Sequence, residues 1–585
     1  MDSGDGGVSS NTPTVAQTET YSVPDHGSSY PVLHLNPKTK KAYVSMLSLA
    51  MMNVAIIAGI GNSVQMAFYG FSSVTFFVIG AIVFFIPTAL VAAELATGWA
   101  ENGGIFRWVS EGVGRGWGFM CVFILWIQQA LVLAQCPASY TSTILFFSPN
   151  FNKAIAFAEN PTQYLGEGGF IGIMIAWLVF LWALAWMASR GVKAFDKIAS
   201  WGVTLGTILP LLFMVIFIFV WLGEGHRAAC SFSGSALLPQ WQGMSTIALA
   251  ASVFFSYAGI DMNAAYVKQL KNPEKQYPRA LLLTIFICLC IFLFSTLVVA
   301  AMVPESQINV IYTLNAVFKD LGATIGFPML YLVVVYLGLF NMIAGNITAF
   351  AAPSLMLGQS GRAGMLPKWL QRTNKHGMPS GLMFVQCVIL TILSFVIELI
   401  PNVEGFVILL TQAMTVLYLV YYILMFITFV RLRYTQPNRP RAFKCPGGKT
   451  GAWIVAIIGI AASCLGILMS VWPPAQVAQE VGSPEVYVWT IIVICCIILA
   501  IPFLIYWVAR KHNWVDPENK FAPLTWQIEG FKKPTKSLSN IPTAILSYDQ
   551  NPMGMPIKHP FSPDDRMDNL PTQLVDDVKA VGSAA

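Results

Sequence analysis

The residues best placed to do chemistry lie where two long apolar runs are broken. One stretch reads Asn53-Val-Ala-Ile-Ile-Ala58-Gly59-Ile60-Gly61-Asn62-Ser63, and another reads Phe254-Phe255-Ser256-Tyr257-Ala258-Gly259-Ile260-Asp261. Each sets glycine and small polar residues at the middle of an otherwise hydrocarbon-like segment. Asp261 adds an ionisable group. A carboxylate there is expensive and must face a cavity or a partner, so it is either a proton-sensing group, since burial favours its protonated form, or a structural partner for Lys268 or the inner loops. Catalysis has no such footing. All six histidines (His26, His34, His226, His376, His512, His559) fall outside apolar runs, and the ten cysteines form no CxxC pair. No metal site, no cofactor and no enzymatic activity are expected.

What a broken helix can do follows from its backbone. Freed N–H and C=O groups in hydrocarbon cost several kcal/mol each unless something satisfies them. A half-helix N-terminus offers N–H groups and partial positive charge to an anion, and a half-helix C-terminus offers carbonyls to a cation. Two such breaks facing each other suit a zwitterion, that is, an amino acid. Glycine also serves in membrane helices as a packing residue, and that reading stands beside the first. The matched placement favours binding: the two breaks lie five spans apart, and an odd offset makes the second copy enter the membrane from the opposite side, as an inverted repeat requires.

The elements that must position these breaks are membrane spans. Of 585 residues 56% are hydrophobic and only 11% charged, with a mean hydropathy of +0.64. A soluble domain carries about 25% charged residues, so a soluble, fibrous or disordered protein is excluded. Apolar runs of about 20 residues fall at roughly 44–69, 74–97, 117–142, 169–187, 197–222, 243–266, 279–302, 324–357, 380–400, 403–430, 452–472 and 486–509. The eighth is too long for one straight span and is expected to project from the bilayer. With the N-terminus inside, the inner loops hold nineteen Lys and Arg residues, Arg107, Lys268, Arg372 and Arg441 among them, and the outer loops only Lys153, Arg227 and Lys319. That is the positive-inside asymmetry, with both termini cytoplasmic, and it accounts for the net charge of +6 without a nucleic-acid partner. Residues 1–43 read as a disordered cytoplasmic tail, and 98–116 as a short amphipathic helix at the inner interface. Residues 511–585 are polar and Pro-rich.

These residues resemble a known family. Val91–Val109 with Ala93-Glu94-Leu-Ala-Thr97 and Glu101-Asn-Gly-Gly-Ile-Phe-Arg107-Trp108-Val109, then Ser256-Tyr-Ala-Gly-Ile-Asp261, Lys271-Asn-Pro273, Gln276-Tyr-Pro278, Met365-Leu-Pro367, Asn374-Lys-His-Gly-Met-Pro379, Arg441-Ala-Phe-Lys-Cys-Pro-Gly-Gly-Lys449 and Trp472-Pro-Pro474 occur in order. Over about 44–510 the chain is similar to the amino acid–polyamine–organocation (APC) superfamily, and within it to the bacterial glutamate/GABA antiporters. The resemblance implies a five-plus-five inverted repeat (44–222 and 243–431) with broken helices 1 and 6, two extra helices over 452–510, and alternating access in a bacterial cytoplasmic membrane.

Position by position, the resemblance assigns substrate binding to Ala58, Gly59, Ile60, Gly61, Asn62, Ser63, Ser256, Tyr257, Ala258 and Gly259, mainly through their backbone. Phe255 takes the place of an aromatic gate and Trp126 that of a tyrosine facing the cytoplasmic path. Tyr418 and Tyr422 match two pocket tyrosines, and their i,i+4 spacing puts them on one helix face; a pair of core tyrosines is the other reading. Asp261 stands where relatives carry an acidic residue associated with pH sensitivity. Glu94 reads as an anchor of the second-span exit. Where glutamate/GABA exchangers have an acidic residue in the eighth span this chain has Gly345, and their first-span pocket residues are replaced by Gly61, Asn62 and Ser63. A roomier, less charged site is expected, for a neutral, large or aromatic amino acid. His559-Pro560 and Ser562-Pro563 faintly match a tail segment that plugs the cytoplasmic funnel in family members; an unstructured or partner-binding tail is the competing reading.

The function expected is secondary amino acid transport, as exchange of an amino acid against its decarboxylation product or another amino acid, or as proton symport. The partners expected are the amino acid, protons and the lipid bilayer. A channel would need a filter-like loop or a ring of lining charge, and neither is visible.

Overall fold

The computed structural model describes residues 18–22, 29–33, 44–59, 64–99, 104–145, 150–153, 155, 161–239, 243, 247–270, 272–309, 312–398, 403–437, 439, 441, 443–473, 483–512 and 514. In chain order the helices are α1 (Met46–Ile57), α2 (Gly70–Gly98), α3 (Ile105–Gly112), α4 (Arg115–Leu145), α5 (Pro161–Ala188), α6 (Asp196–Gly223), α7 (Ser252–Tyr257), α8 (Pro273–Met302), α9 (Thr313–Thr324), α10 (Leu330–Arg362), α11 (Ser380–Glu398), α12 (Val403–Thr435), α13 (Gly448–Val471) and α14 (Pro484–Lys511). Among the described residues nine of these (α2, α4, α5, α6, α8, α10, α12, α13, α14) are long and apolar enough to cross a membrane. α11 is a shorter apolar helix, and α1 and α7 belong to the two interrupted segments. The chain is a multi-span helical membrane protein.

Local chemistry explains where these helices start and bend. The Ser45 hydroxyl accepts the Ser48 N–H at 2.9 Å and caps α1. Two π turns, Ala81–Phe85 and Thr204–Ile208, each lie just ahead of a proline, Pro87 and Pro210. A proline has no N–H to give the carbonyl four residues back, and the ladder slips by one residue: Ile86 N–H reaches Ala81 and Leu209 N–H reaches Thr204.

Helix packing repeats itself. α1 lies against α8 and the start of α6, while α7 lies against α2 and α12. α4 lies against α11 and α12, while α10 lies against α5 and α6. Exchanging each span with the one five places away in the other half turns the first pair of contacts in each sentence into the second, as a repeat of five spans requires. The α6–α10 crossing is close because Gly202 and Gly206 face it. A methyl group on either would lie within 2.6 Å of an α10 backbone atom, the carbonyl oxygens of Phe340 and Leu337 included. This is the small-residue spacing by which membrane helices approach.

One expectation changes. The 98–116 connection does form a short amphipathic helix, but α3 is covered by protein rather than exposed: all eight of its residues are buried. Its charges are absorbed internally. Arg107 pairs with Glu111 at 2.9 Å, Gln436 Nε2 donates to Glu111 at 3.1 Å, and Gln436 Oε1 accepts the Trp99 indole N–H at 3.0 Å. Beside this, Glu94 at the end of α2 takes the Arg433 guanidinium and the Cys445 N–H (2.7 Å), with Arg441 at 3.5 Å. Burial pushes the Arg441 guanidinium down to about 10, opposed by Glu94. Glu94 is thus the anchor of the second-span exit.

Outside the helices, Thr18–Ser22 pairs antiparallel with Ser29–Leu33. The remainder of residues 1–43, and the 515–585 tail with its plug-like segment, lie outside the described residues.

Candidate functional site

The first interruption begins at Ala58. α1 ends at Ile57, Ala58 turns extended (φ −114°, ψ 107°) while its N–H still bonds the Val54 carbonyl, and a helix resumes at Val64–Ala67. Of the expected binding residues here, Ala58 is buried and Gly59 half-buried; Ile60, Gly61, Asn62 and Ser63 lie outside the described residues. The second interruption follows Tyr257. Ala58's counterpart, Ala258, is likewise extended (φ −73°, ψ 150°), Gly259 has φ +99°, and a 3₁₀ segment runs over Met262–Gln269. Gly259 is required twice: an L side chain rarely adopts that φ, and a methyl group would sit 3.3 Å from Ile56 Cγ2 and Met262 Cε.

The groups freed by the second break find side-chain partners on α12. The Gly259 N–H donates to Tyr422 Oη at 2.7 Å, and Tyr422 Oη in turn donates to Asp261 Oδ1 at 2.8 Å. Tyr421 Oη donates to Asp261 Oδ2. Asp261 is buried at 1% exposure, and among the described side chains its hydrogen-bond partners are these two tyrosines. A tyrosine hydroxyl thus serves each of the two carboxylate oxygens.

Tyr418 completes the cluster. Its ring stacks on Tyr422 at 5.7 Å and meets Phe255 edge-on at 6.4 Å. Its hydroxyl takes a hydrogen bond from Gln129 Nε2 of α4 at 3.4 Å and lies 3.6 Å from where a Gly259 methyl would be. Phe255, Gly259, Asp261, Tyr418 and Tyr422 are therefore one group around the sixth-span break.

Other candidates are placed elsewhere. The Ser256 hydroxyl turns back to the Ser252 carbonyl at 2.8 Å. Tyr257 donates to the Phe77 carbonyl at 2.8 Å and stacks on Phe85 at 4.5 Å, so its side chain fastens α7 to α2. Trp126 donates to Ser354 Oγ at 3.2 Å, and Ser354 to Gln386 at 3.0 Å, a tie joining α4, α10 and α11. Gly345 does not open space as expected: a methyl there would lie 2.9 Å from the Ala55 carbonyl oxygen, so this glycine lets α10 cross α1 closely. Two members escaped the sequence reading. Tyr421 sits three residues beyond Tyr418, and Gln129 belongs to a polar pair, Gln128-Gln129, inside an apolar run; both signals were in the sequence.

A sequence profile described as amino acid permease matches residues 44–499. An uncharacterised transporter of Legionella pneumophila is 28% identical over 473 residues, covering 81% of this chain and 98% of its own. A glutamate/gamma-aminobutyrate antiporter of Lactococcus lactis is 27% identical over 455 residues, 77% of this chain and 87% of its own. A probable agmatine/putrescine antiporter of the same organism is 21% identical over 423 residues, 70% and 83%.

Proposed function

Because the chain belongs to the amino acid permease family, and so is a transporter of amino acids or amines rather than an enzyme, we propose that it works as an antiporter. In this reading an amino acid is exchanged by alternating access against its decarboxylation product or another amino acid. The observation that carries the reading is the pair of interruptions at Ala58–Gly59 and Ala258–Gly259, the second lined by Tyr418, Tyr422 and Asp261. Backbone polar groups at such breaks suit the carboxylate and ammonium of one substrate. Phe255 and Tyr418 face its side chain, favouring a neutral, large or aromatic amino acid, and the Trp126–Ser354 tie closes the path on the α10 side. Both termini lie in the cytoplasm, which the charge asymmetry of the loops supports.

Counterflow tests this. Purified protein in proteoliposomes loaded with unlabelled substrate accumulates external label, drawn from the twenty amino acids and their amines; a channel or hydrolase accumulates none. The buried carboxylate of Asp261 favours proton symport as the second reading. An imposed pH gradient separates the two, since an obligate exchanger takes up nothing into empty vesicles.

A further inference from the structure

Away from the tyrosine cluster, a chain of side-chain amides crosses the interior between the two interrupted segments. Asn263 Nδ2, just after the second break, donates to Asn53 Oδ1 of α1 at 2.8 Å. Asn53 Nδ2 points on to Thr284 Oγ1 of α8 at 3.5 Å, and Thr284 Oγ1 donates to the Ala280 carbonyl at 2.8 Å. All three residues are fully buried. A second tie joins the same two segments elsewhere: Val44, ahead of α1, makes a parallel backbone bridge to Leu270, at the end of the 3₁₀ segment. The part of the first segment that precedes its break is thus held at two levels to the part of the sixth that follows its break.

We propose that Asn53 and Asn263 are positioning residues for transport: their amide clasp fixes the register between these two half-segments, so that the pair moves as one body when the access path changes. The inference rests on the alternating-access reading. Its physical basis is the cost of burying an amide. In one register Asn263 Nδ2 meets Asn53 Oδ1, whereas a slip of either half breaks that bond between two fully buried amides. A single buried asparagine sets register between coiled-coil helices for the same reason. Among the described residues Asn263 Oδ1 has no partner, so removing Asn53 takes away the one bond its side chain makes there. Thr284 extends the clasp to α8, against which α1 also packs.

The test is a covalent link at the other level. Bridge partners on neighbouring backbones lie about 5 Å apart, within disulfide reach, so Val44→Cys with Leu270→Cys should close on oxidation. The link is verified by mass spectrometry, and the parent, with its native cysteines, is treated with the same oxidant. Counterflow that survives the link supports the proposal, and counterflow that is lost on oxidation and returns with reductant overturns it. Asn263→Ala should slow counterflow about tenfold, Asn53→Ala with Asn263→Ala should be no slower than Asn263→Ala alone, and the 44–270 link should restore most of the rate. Additive losses, or no rescue by the link, also overturn it. If the parent shows no counterflow with any amino acid or amine, the transport reading has failed instead.

Discussion

The hydroxyl of Tyr422 stands where the helix of the sixth segment lets go: it accepts the Gly259 N–H at 2.7 Å and donates its own O–H to Asp261 Oδ1 at 2.8 Å. A helix cannot be broken inside a membrane protein without satisfying the groups that the break exposes. Here one side chain of a neighbouring helix satisfies a backbone donor and one oxygen of a carboxylate together.

Replacing that hydroxyl should be felt more than replacing its neighbour. Tyr422→Phe leaves a buried N–H and one carboxylate oxygen unpartnered, a loss of about 1–3 kcal/mol. Tyr418→Phe removes one 3.4 Å contact with Gln129. Counterflow rates and thermal unfolding of both purified variants should rank Tyr422→Phe as the more damaged, and equal effects would refute the capping role.

Asp261→Asn keeps the shape but replaces one acceptor oxygen with a donor that faces a tyrosine hydroxyl. Hydrogen bonds to a charged group contribute about 1.5–3 kcal/mol, so transport should fall at least about tenfold while the protein stays folded by size-exclusion chromatography. Wild-type counterflow from this variant would remove Asp261 from the mechanism.

Gly259→Ala asks an L side chain to hold φ +99° against Ile56 and Met262. The backbone penalty alone is about 1–2 kcal/mol. Lower thermal stability together with slower transport is the expected outcome, and a neutral substitution would mean that the break relaxes without consequence.

Glu94→Gln tests the buried ionic cluster. Removing one partner of a buried pair costs about 3–5 kcal/mol because the remaining charge is stranded, and here two guanidinium groups, Arg433 and Arg441, lose their counterion. The yield of folded protein in detergent should drop sharply, while the apparent KM of the fraction that survives stays unchanged. A shifted KM with normal yield would place Glu94 in the transport path.

Much of this protein was legible before any coordinates, for a simple reason. The multi-span helical character, the two interruptions and Asp261 are all consequences of hydrocarbon as solvent, which forces long apolar runs and makes each glycine or carboxylate inside them conspicuous. Residue type and spacing along one segment carry that information. Partnership across segments they do not carry. The same glycine reads as open space or as a close crossing, and only the Ala55 carbonyl beneath Gly345 decided for the crossing. The amphipathic pattern of α3 suits a lipid surface as well as a protein interior, and it took Glu111, Gln436 and Trp99 meeting from separate segments to bury it. Asp261 announced that it needed a partner, but Tyr421 and Tyr422 lie some 160 residues away in the chain, and packing alone brought them within a hydrogen bond.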